Sequence, residues 1–218
     1  GNPTRRELLG VDRAEGRHHF GIPKEARLLF VFGGSGGSLA LNRAVKRSAA
    51  DLLQDEQLHI LWQTGEKYFE PMEEEVDSHE RLHMRAYIDD MPEAYAAADL
   101  VISRAGAITC SELMVTGTPA ILVPSPNVVA DHQMINARAM TRSGAAELLE
   151  EDELEAGFAQ HVREVLGDTG RRKAMAVRAR EMGKPDAART IARDVLRLAG
   201  YSVDGTRLKD TGHENSQS

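Results

Sequence analysis

Thr109 and Glu112, three residues apart on what reads as the first turn of a helix, are the side chains of this sequence best spaced to do chemistry. They lie in the stretch 99–119, Asp-Leu-Val-Ile-Ser-Arg-Ala-Gly-Ala-Ile-Thr-Cys-Ser-Glu-Leu-Met-Val-Thr-Gly-Thr-Pro. It has the form of a short buried strand, a tight turn of small residues and a helix opening with Thr109. Such a turn aims free backbone N–H groups and a helix N-terminus at one point, which suits a diphosphate. Glu112 falls on the same helix face, where a carboxylate could accept from ribose hydroxyls. An anion site and a diol acceptor on one turn point to a nucleotide-sugar pocket. The same spacing also fits an ordinary capping box, with Thr109 as the cap.

Three more loops hold groups able to bind a ligand. Gly33-Gly34-Ser35-Gly36-Gly37-Ser38 joins an apolar run to a helical pattern. Its glycines let a ligand approach the backbone, and Ser35 or Ser38 can donate to phosphate or cap the helix. No Gly-Lys-Ser/Thr follows, so it is not a P-loop, and Leu39 stands where a dinucleotide fingerprint has its third glycine. A plain strand-to-helix turn with a Ser cap is the bland alternative. In Tyr87-Ile88-Asp89-Asp90-Met91-Pro92, the aspartates look like helix caps with Pro92 in the first turn. The backbone of Ile88, at a strand end without ladder partners, could pair with the edge of a base. Finally, Asp131-His132-Gln133-x-x-Asn136 opens a helix on which Asn136 is a neighbour of both His132 and Gln133. Uncharged donors and acceptors of this kind suit sugar hydroxyls, although a lone His is more often a cap or a solvated residue.

The elements that must position these loops are legible in the apolar pattern. Strand candidates fall at 28–32, 58–62, 82–86, 100–103, 120–123 and 145–148. Several are unbroken apolar runs, as expected of strands buried on both faces of a parallel sheet. Helical patterns lie between them at 38–53, 66–76, 92–98, 107–116 and 131–142, and three more follow near 152–166, 170–182 and 186–199. This alternation predicts an α/β fold with a doubly wound parallel sheet, whose ligands sit beyond the carboxyl ends of the strands. The basic run Arg171-Arg172-Lys173 reads as a solvated helix face. The last helix carries Ile191, Val195 and Leu198 on one stripe, to be packed on this domain or on another.

At 218 residues the chain is long enough for one large α/β domain. A formal charge of −7 argues against non-specific nucleic-acid binding, which needs Lys and Arg against phosphates. The single cysteine, Cys110, excludes internal disulfides and fits a reducing compartment, so a cytoplasmic location is expected. No apolar run approaches the roughly 20 residues that span a bilayer. Neither an Asp-x-Asp motif for a metal-bridged diphosphate nor a His-Glu-x-x-His zinc site is present, so no metal site is evident. The start, Gly1-Asn2-Pro3 without an initiator Met, suggests a cut at a domain boundary. Residues 201–218 form a polar tail expected to be disordered, leaving 1–200 as the ligand-binding domain.

Taken together, five segments resemble the MurG family of bacterial UDP-N-acetylglucosamine transferases. They are Gly1-Asn2-Pro3-Thr4-Arg5; Gly33-Gly34-Ser35-Gly36-Gly37 with Asn42; Tyr87-Ile88-Asp89-Asp90-Met91; Ser103-Arg104-Ala105-Gly106-Ala107-Ile108-Thr109 through Glu112; and Asp131-His132-Gln133 through Asn136-Ala137. They occur in the family's order over roughly residues 1–200. The resemblance implies the Rossmann-like C-terminal, donor-binding half of a GT-B glycosyltransferase. It also implies the residue roles. Arg5, in the interdomain segment, contacts UDP-GlcNAc; Ser35 and Ala107, Ile108 and Thr109 hold the diphosphate; the Ile88 backbone reads uracil. Glu112 binds ribose, His132, Gln133 and Asn136 meet the GlcNAc hydroxyls, and Cys110 and Ser111 complete the substrate-binding turn. Ala130 departs from the family, which often carries an acidic residue there.

The implied reaction is inverting transfer of GlcNAc from UDP-GlcNAc to the undecaprenyl-linked muramyl-pentapeptide, the lipid-linked precursor of peptidoglycan, without a cofactor. In the full-length protein this takes place at the inner face of the cell membrane, through an N-terminal acceptor domain. No residue of this half is placed as a catalytic base, so the chain alone is expected to bind donor without transferring sugar. Two other readings stand beside this one: a non-catalytic UDP-GlcNAc-binding subunit that needs a separate membrane-bound acceptor subunit, and a Rossmann-type oxidoreductase, which Leu39 argues against.

Overall fold

Leu28, Leu29, Phe30 and Val31 are fully buried, which is what an unbroken apolar run does when both faces of its strand are covered. They belong to β1 (Arg27–Phe32) in a computed structural model that describes residues 1–126 and 131–202. The other strands are β2 (Leu58–Gln63), β3 (Leu82–Arg85), β4 (Leu100–Ser103), β5 (Ala120–Leu122) and β6 (Glu147–Leu148). All pairings are parallel, in the order β3-β2-β1-β4-β5-β6. The α/β, doubly wound sheet expected from the sequence is therefore present. The order reverses between β1 and β4, so the loops that follow these two strands border the crevice where such sheets hold ligands.

Alternate residues of β1 feed two cores. Leu28, Phe30 and Phe32 pack with α4 (Met91–Ala97), α5 (Ala107–Thr116), α6 (His132–Arg142) and α8 (Thr169–Met182), through Tyr95, Leu113, Met140 and Ala179. Leu29 and Val31 pack with α2 (Leu39–Leu52), α3 (Glu66–Glu75) and α7 (Leu154–Gly167), through Leu41, Val45, Met72, Phe158 and Val162. α9 (Ala187–Leu198) follows, and its stripe stays uncovered by the described residues: Ile191, Val195 and Leu198 are 44%, 58% and 90% exposed. Among the described residues no helix is long and apolar enough to cross a membrane.

Three features differ from the sequence expectation. A 3-10 turn (Arg6–Leu9) and α1 (Arg13–His19) precede the sheet. Their polar sequence shows no apolar stripe, and tertiary contacts hold them instead. Asp12 accepts from the Glu15 N–H, Gly16 lies against the backbone of α4, and buried Arg17 donates to the carbonyls of Pro23, Lys24 and Ala26 and pairs with Asp99. The basic run is solvated at Arg171 and Lys173, but Arg172 is not a solvated residue. Arg172 donates to the Val165 and Leu166 carbonyls at the end of α7, and Arg171 pairs with Glu147. Strand β6 is also shorter than expected. Ala130 and residues 203–218, where a family departure and a disordered tail were expected, lie outside the described residues.

His59 on β2 and His83 on β3 share one ring hydrogen bond of 3.0 Å and stack at 5.3 Å. Burial, with neighbouring positive charge, pushes His83 down to about 4 and His59 below its ordinary value. The folded state therefore favours neutral rings, while the unfolded chain takes up protons from about pH 6.5 downward. The stability these rings contribute is intact above that pH and is lost as pH falls toward 4. The urea midpoint is expected to drop through this window in the native protein. In His59→Phe/His83→Phe it should drop less; parallel pH profiles would remove the pair from the account.

Candidate functional site

The loop after β1 is shaped by what it rests on. Gly34 and Gly37 adopt φ of +90° and +73°, and the Gly37 N–H donates to the Gly34 carbonyl at 3.0 Å. A Cβ on Gly37 would lie 2.0 Å from the Thr64 carbonyl oxygen, so only glycine lets the loop seat on the end of β2. Below it, Trp62 Nε1–H donates to Asn42 Oδ1 at 3.0 Å, and Asn42 Nδ2 donates to the Thr64 carbonyl at 2.9 Å. Ser38 caps α2, accepting from the Leu41 N–H. Ser35 stands exposed at the tip, with no hydrogen bond among the described residues.

The loop after β4 carries the other half of the crevice. The N-cap of α5 is Gly106, in extended conformation and without a side-chain cap. The helix therefore starts at Ala107, two residues before Thr109, and the capping-box reading falls: Thr109 is the third helical residue. The first amide to find an acceptor is that of Cys110, which donates to the Gly106 carbonyl at 2.9 Å. The N–H groups of Ala107, Ile108 and Thr109 have no acceptor among the described residues, which leaves a concentrated positive end open to an anion.

Glu112, one turn along, is 5% exposed. Its Oε2 accepts from the Tyr95 hydroxyl at 3.1 Å, and its Oε1 lies 3.8 Å from Arg5 Nε. Burial raises the carboxyl above its ordinary range, opposed by the Tyr95 hydrogen bond and the Arg5 charge. Arg5 arrives on an N-terminal segment that is pinned where Asn2 Nδ2 donates to the Ala107 carbonyl and to Ser111 Oγ. Arg5 and Glu112, far apart in sequence, thus meet at the site.

Two expected residues do not. Cys110 points into the core, where burial pushes its thiol up to about 12, and its amide is used within the helix turn. Ser111 spends its hydroxyl on the Ala107 carbonyl and on Asn2. Neither has a free group for a ligand. The Ile88 amide also differs from expectation: it donates to Gln63 Oε1 at 2.9 Å, and only its carbonyl is without a partner among the described residues. Asp90 takes the N-cap position of α4 but its carboxylate binds His19 instead of the helix.

At the start of α6, His132 is exposed. Gln133 accepts from the Ser125 N–H through Oε1, and Asn136 donates to the Ala105 carbonyl. The Gln133 amide nitrogen and the Asn136 carbonyl oxygen remain available among the described residues.

Sequence reasoning missed two struts. Gln63 donates to the Gly34 carbonyl while accepting from Ile88, so one buried side chain ties the glycine-rich loop to the strand-end backbone. Its signal was a polar residue closing an apolar strand. Arg104 donates to Ser38 Oγ and to the carbonyls of Val123 and Pro124, and pairs with Glu151. An arginine in a turn of small residues was the visible trace. Among the described residues no three His, Cys, Asp or Glu side chains gather as a metal site would require.

An open helix N-terminus, a carboxylate one turn on and a glycine-rich loop are groups whose chemistry suits a phosphorylated, hydroxyl-bearing ligand. Residues 28–191 match the glycosyltransferase family 28 C-terminal domain. Over 199 residues, 91% of this chain, the sequence is 52% identical to the UDP-N-acetylglucosamine--N-acetylmuramyl-(pentapeptide) pyrophosphoryl-undecaprenol N-acetylglucosamine transferase of Salinibacter ruber. It is 38% identical, over 200 residues, to the protein of that name from Chlorobium limicola. Each alignment takes in 54% of the relative, so the chain spans about half the length of the curated relatives it matches. Among solved structures it is similar to Acinetobacter baumannii MurG, with a TM-score of 0.71 and 30% identity over 88% of this chain and 55% of that one.

Proposed function

The chain belongs to the glycosyltransferase family 28 C-terminal domain family, and on that premise we propose that residues 1–200 are the UDP-GlcNAc-binding half of a glycosyltransferase. The observation that carries this reading is the uncapped start of α5, with three amides that have no acceptor among the described residues. Those amides and Ser35 bind the diphosphate and take up the charge that develops on departing UDP. The Ile88 carbonyl meets uracil, and its amide joins if Gln63 turns away. Glu112 accepts from the ribose, and Arg5 approaches the donor from the N-terminal segment. His132, Gln133 and Asn136 receive the GlcNAc hydroxyls.

In the whole protein the sugar passes, with inversion, to an undecaprenyl-linked muramyl-pentapeptide. That acceptor binds the part of the relatives that this chain does not span, and the same part brings the protein to the inner face of the cell membrane. The reaction uses no cofactor. The chain alone binds donor and turns over no acceptor.

Calorimetric titration with UDP-GlcNAc tests the reading, with UDP-GalNAc and NADH as controls. Saturable binding selective for UDP-GlcNAc is expected. Ala107→Pro is the informative variant, because proline is tolerated at the first helical position yet removes one of the three free amides. The variant should fold normally and bind UDP-GlcNAc about tenfold more weakly, the effect of one charge-assisted hydrogen bond. Unchanged affinity in that variant, or no nucleotide binding by the native chain, would sink the assignment.

A further inference from the structure

The residue that readies Glu112 lies beneath it in the core: we propose that Tyr95 is the positioning residue for that carboxylate, anchoring one oxygen so that the other is presented to a vicinal diol. This rests on the reading of Glu112 as the ribose end of the donor site. Tyr95 is 2% exposed, and its ring stands edge-on to Phe30 and Phe32, with centroids 6.1 Å away in both cases. A phenol clamped this way has one direction in which its hydroxyl can point, and the acceptor found there is Glu112 Oε2 at 3.1 Å. A buried hydroxyl without a partner would be costly, so the bond fixes both groups.

The two carboxylate oxygens are thereby made unequal. Oε2 is held from the core side, while Oε1 is on the side of half-exposed Arg5, 3.8 Å from its Nε. A carboxylate on a flexible arm has to lose rotamer freedom to receive a ribose; here the core has already removed it. The bond also favours the ionised form of Glu112, against the upward push of its burial. The titratable groups that act on this carboxylate are Tyr95 from α4 and Arg5 from the N-terminal segment, and both oppose the upward push of desolvation. Tyr95 itself is driven well above its ordinary range by burial beside the carboxylate, so it stays a donor.

Glu112 has to be ionised to accept from two ribose hydroxyls. Binding is therefore full above its raised folded-state value and falls away as pH drops through it. Without the Tyr95 hydroxyl that value rises further, and the acid limb moves to higher pH.

The test is titration of the full chain with UDP and with 2′-deoxy-UDP, between about pH 5 and 8, for the native protein, Tyr95→Phe, Glu112→Gln and the double variant. Phenylalanine keeps the ring contacts and removes only the hydroxyl. Tyr95→Phe should weaken UDP binding about tenfold, leave 2′-deoxy-UDP binding nearly unchanged and shift the acid limb upward. In the Glu112→Gln background, where the acid limb keeps only the titration of the ligand's own phosphate, the same change should alter UDP binding by less than about twofold. A purely structural role would weaken both nucleotides alike and leave the acid limb in place. Native-like discrimination and pH profile in Tyr95→Phe would overturn the positioning role and leave the donor site standing. Failure of the native chain to prefer UDP over 2′-deoxy-UDP would overturn the ribose reading and this inference with it.

Discussion

Gly37→Ala is expected to lose about 3–4 kcal/mol of stability and to abolish measurable UDP-GlcNAc binding. Two separate costs add. An alanine at φ +73° is strained by about 1–2 kcal/mol. Its Cβ would then sit 2.0 Å from the Thr64 carbonyl oxygen, a backbone atom at the end of β2 that cannot swing aside, which costs about 2 kcal/mol more. Gly34→Ala isolates the first cost, since Gly34 also has positive φ but no atom within 4 Å of its would-be Cβ. It should lose only about 1–2 kcal/mol. Urea unfolding of both variants, with slopes unchanged, measures the difference. Equal losses would show that the loop does not rest on β2 as described.

The second large effect is expected at Asn42, which is 1% exposed and joins the Trp62 indole N–H to the Thr64 carbonyl. Asn42→Leu fills the space but strands a donor and an acceptor in the core. Each orphan costs about 1–3 kcal/mol, so a loss of about 2–6 kcal/mol is expected. Trp62 is the single tryptophan of the chain, so its emission follows the unfolding directly. Adding Trp62→Phe to Asn42→Leu removes the orphaned N–H and should recover part of the loss after the cavity cost of the smaller ring is subtracted through the single Trp62→Phe variant. Strict additivity of the two substitutions would mean that the indole bond contributes nothing.

Much of the fold was legible because burial on both faces leaves a clear trace: 28–32, 60–62 and 100–102 are apolar without interruption, and each became part of a strand. What failed to show were elements held by distant partners. Only the Asp12 cap marks the start of Arg13–His19 locally, and no apolar stripe does, since its anchor, Asp99, belongs to the approach to β4. Arg172 looked solvated because the carbonyl ends it satisfies are visible only once α7 and α8 meet. At the site, residue types were readable and their commitments were not. Thr109 resembled a cap because Thr-x-x-Glu fits one, yet Gly106 takes the cap position with backbone alone. Ile88 looked free because Gln63, which occupies its amide, lies 25 residues earlier.

That same glutamine has a consequence for how the recognition surface comes into being. Gln63 joins a loop following β1 to one following β3 from the end of β2 between them, so its two bonds exist only after all three strands have paired. The stability of these two loops is then coupled to the pairing of β1, β2 and β3. Nucleotide affinity would therefore be transmitted to the whole domain as resistance to global unfolding, and not to a local lid.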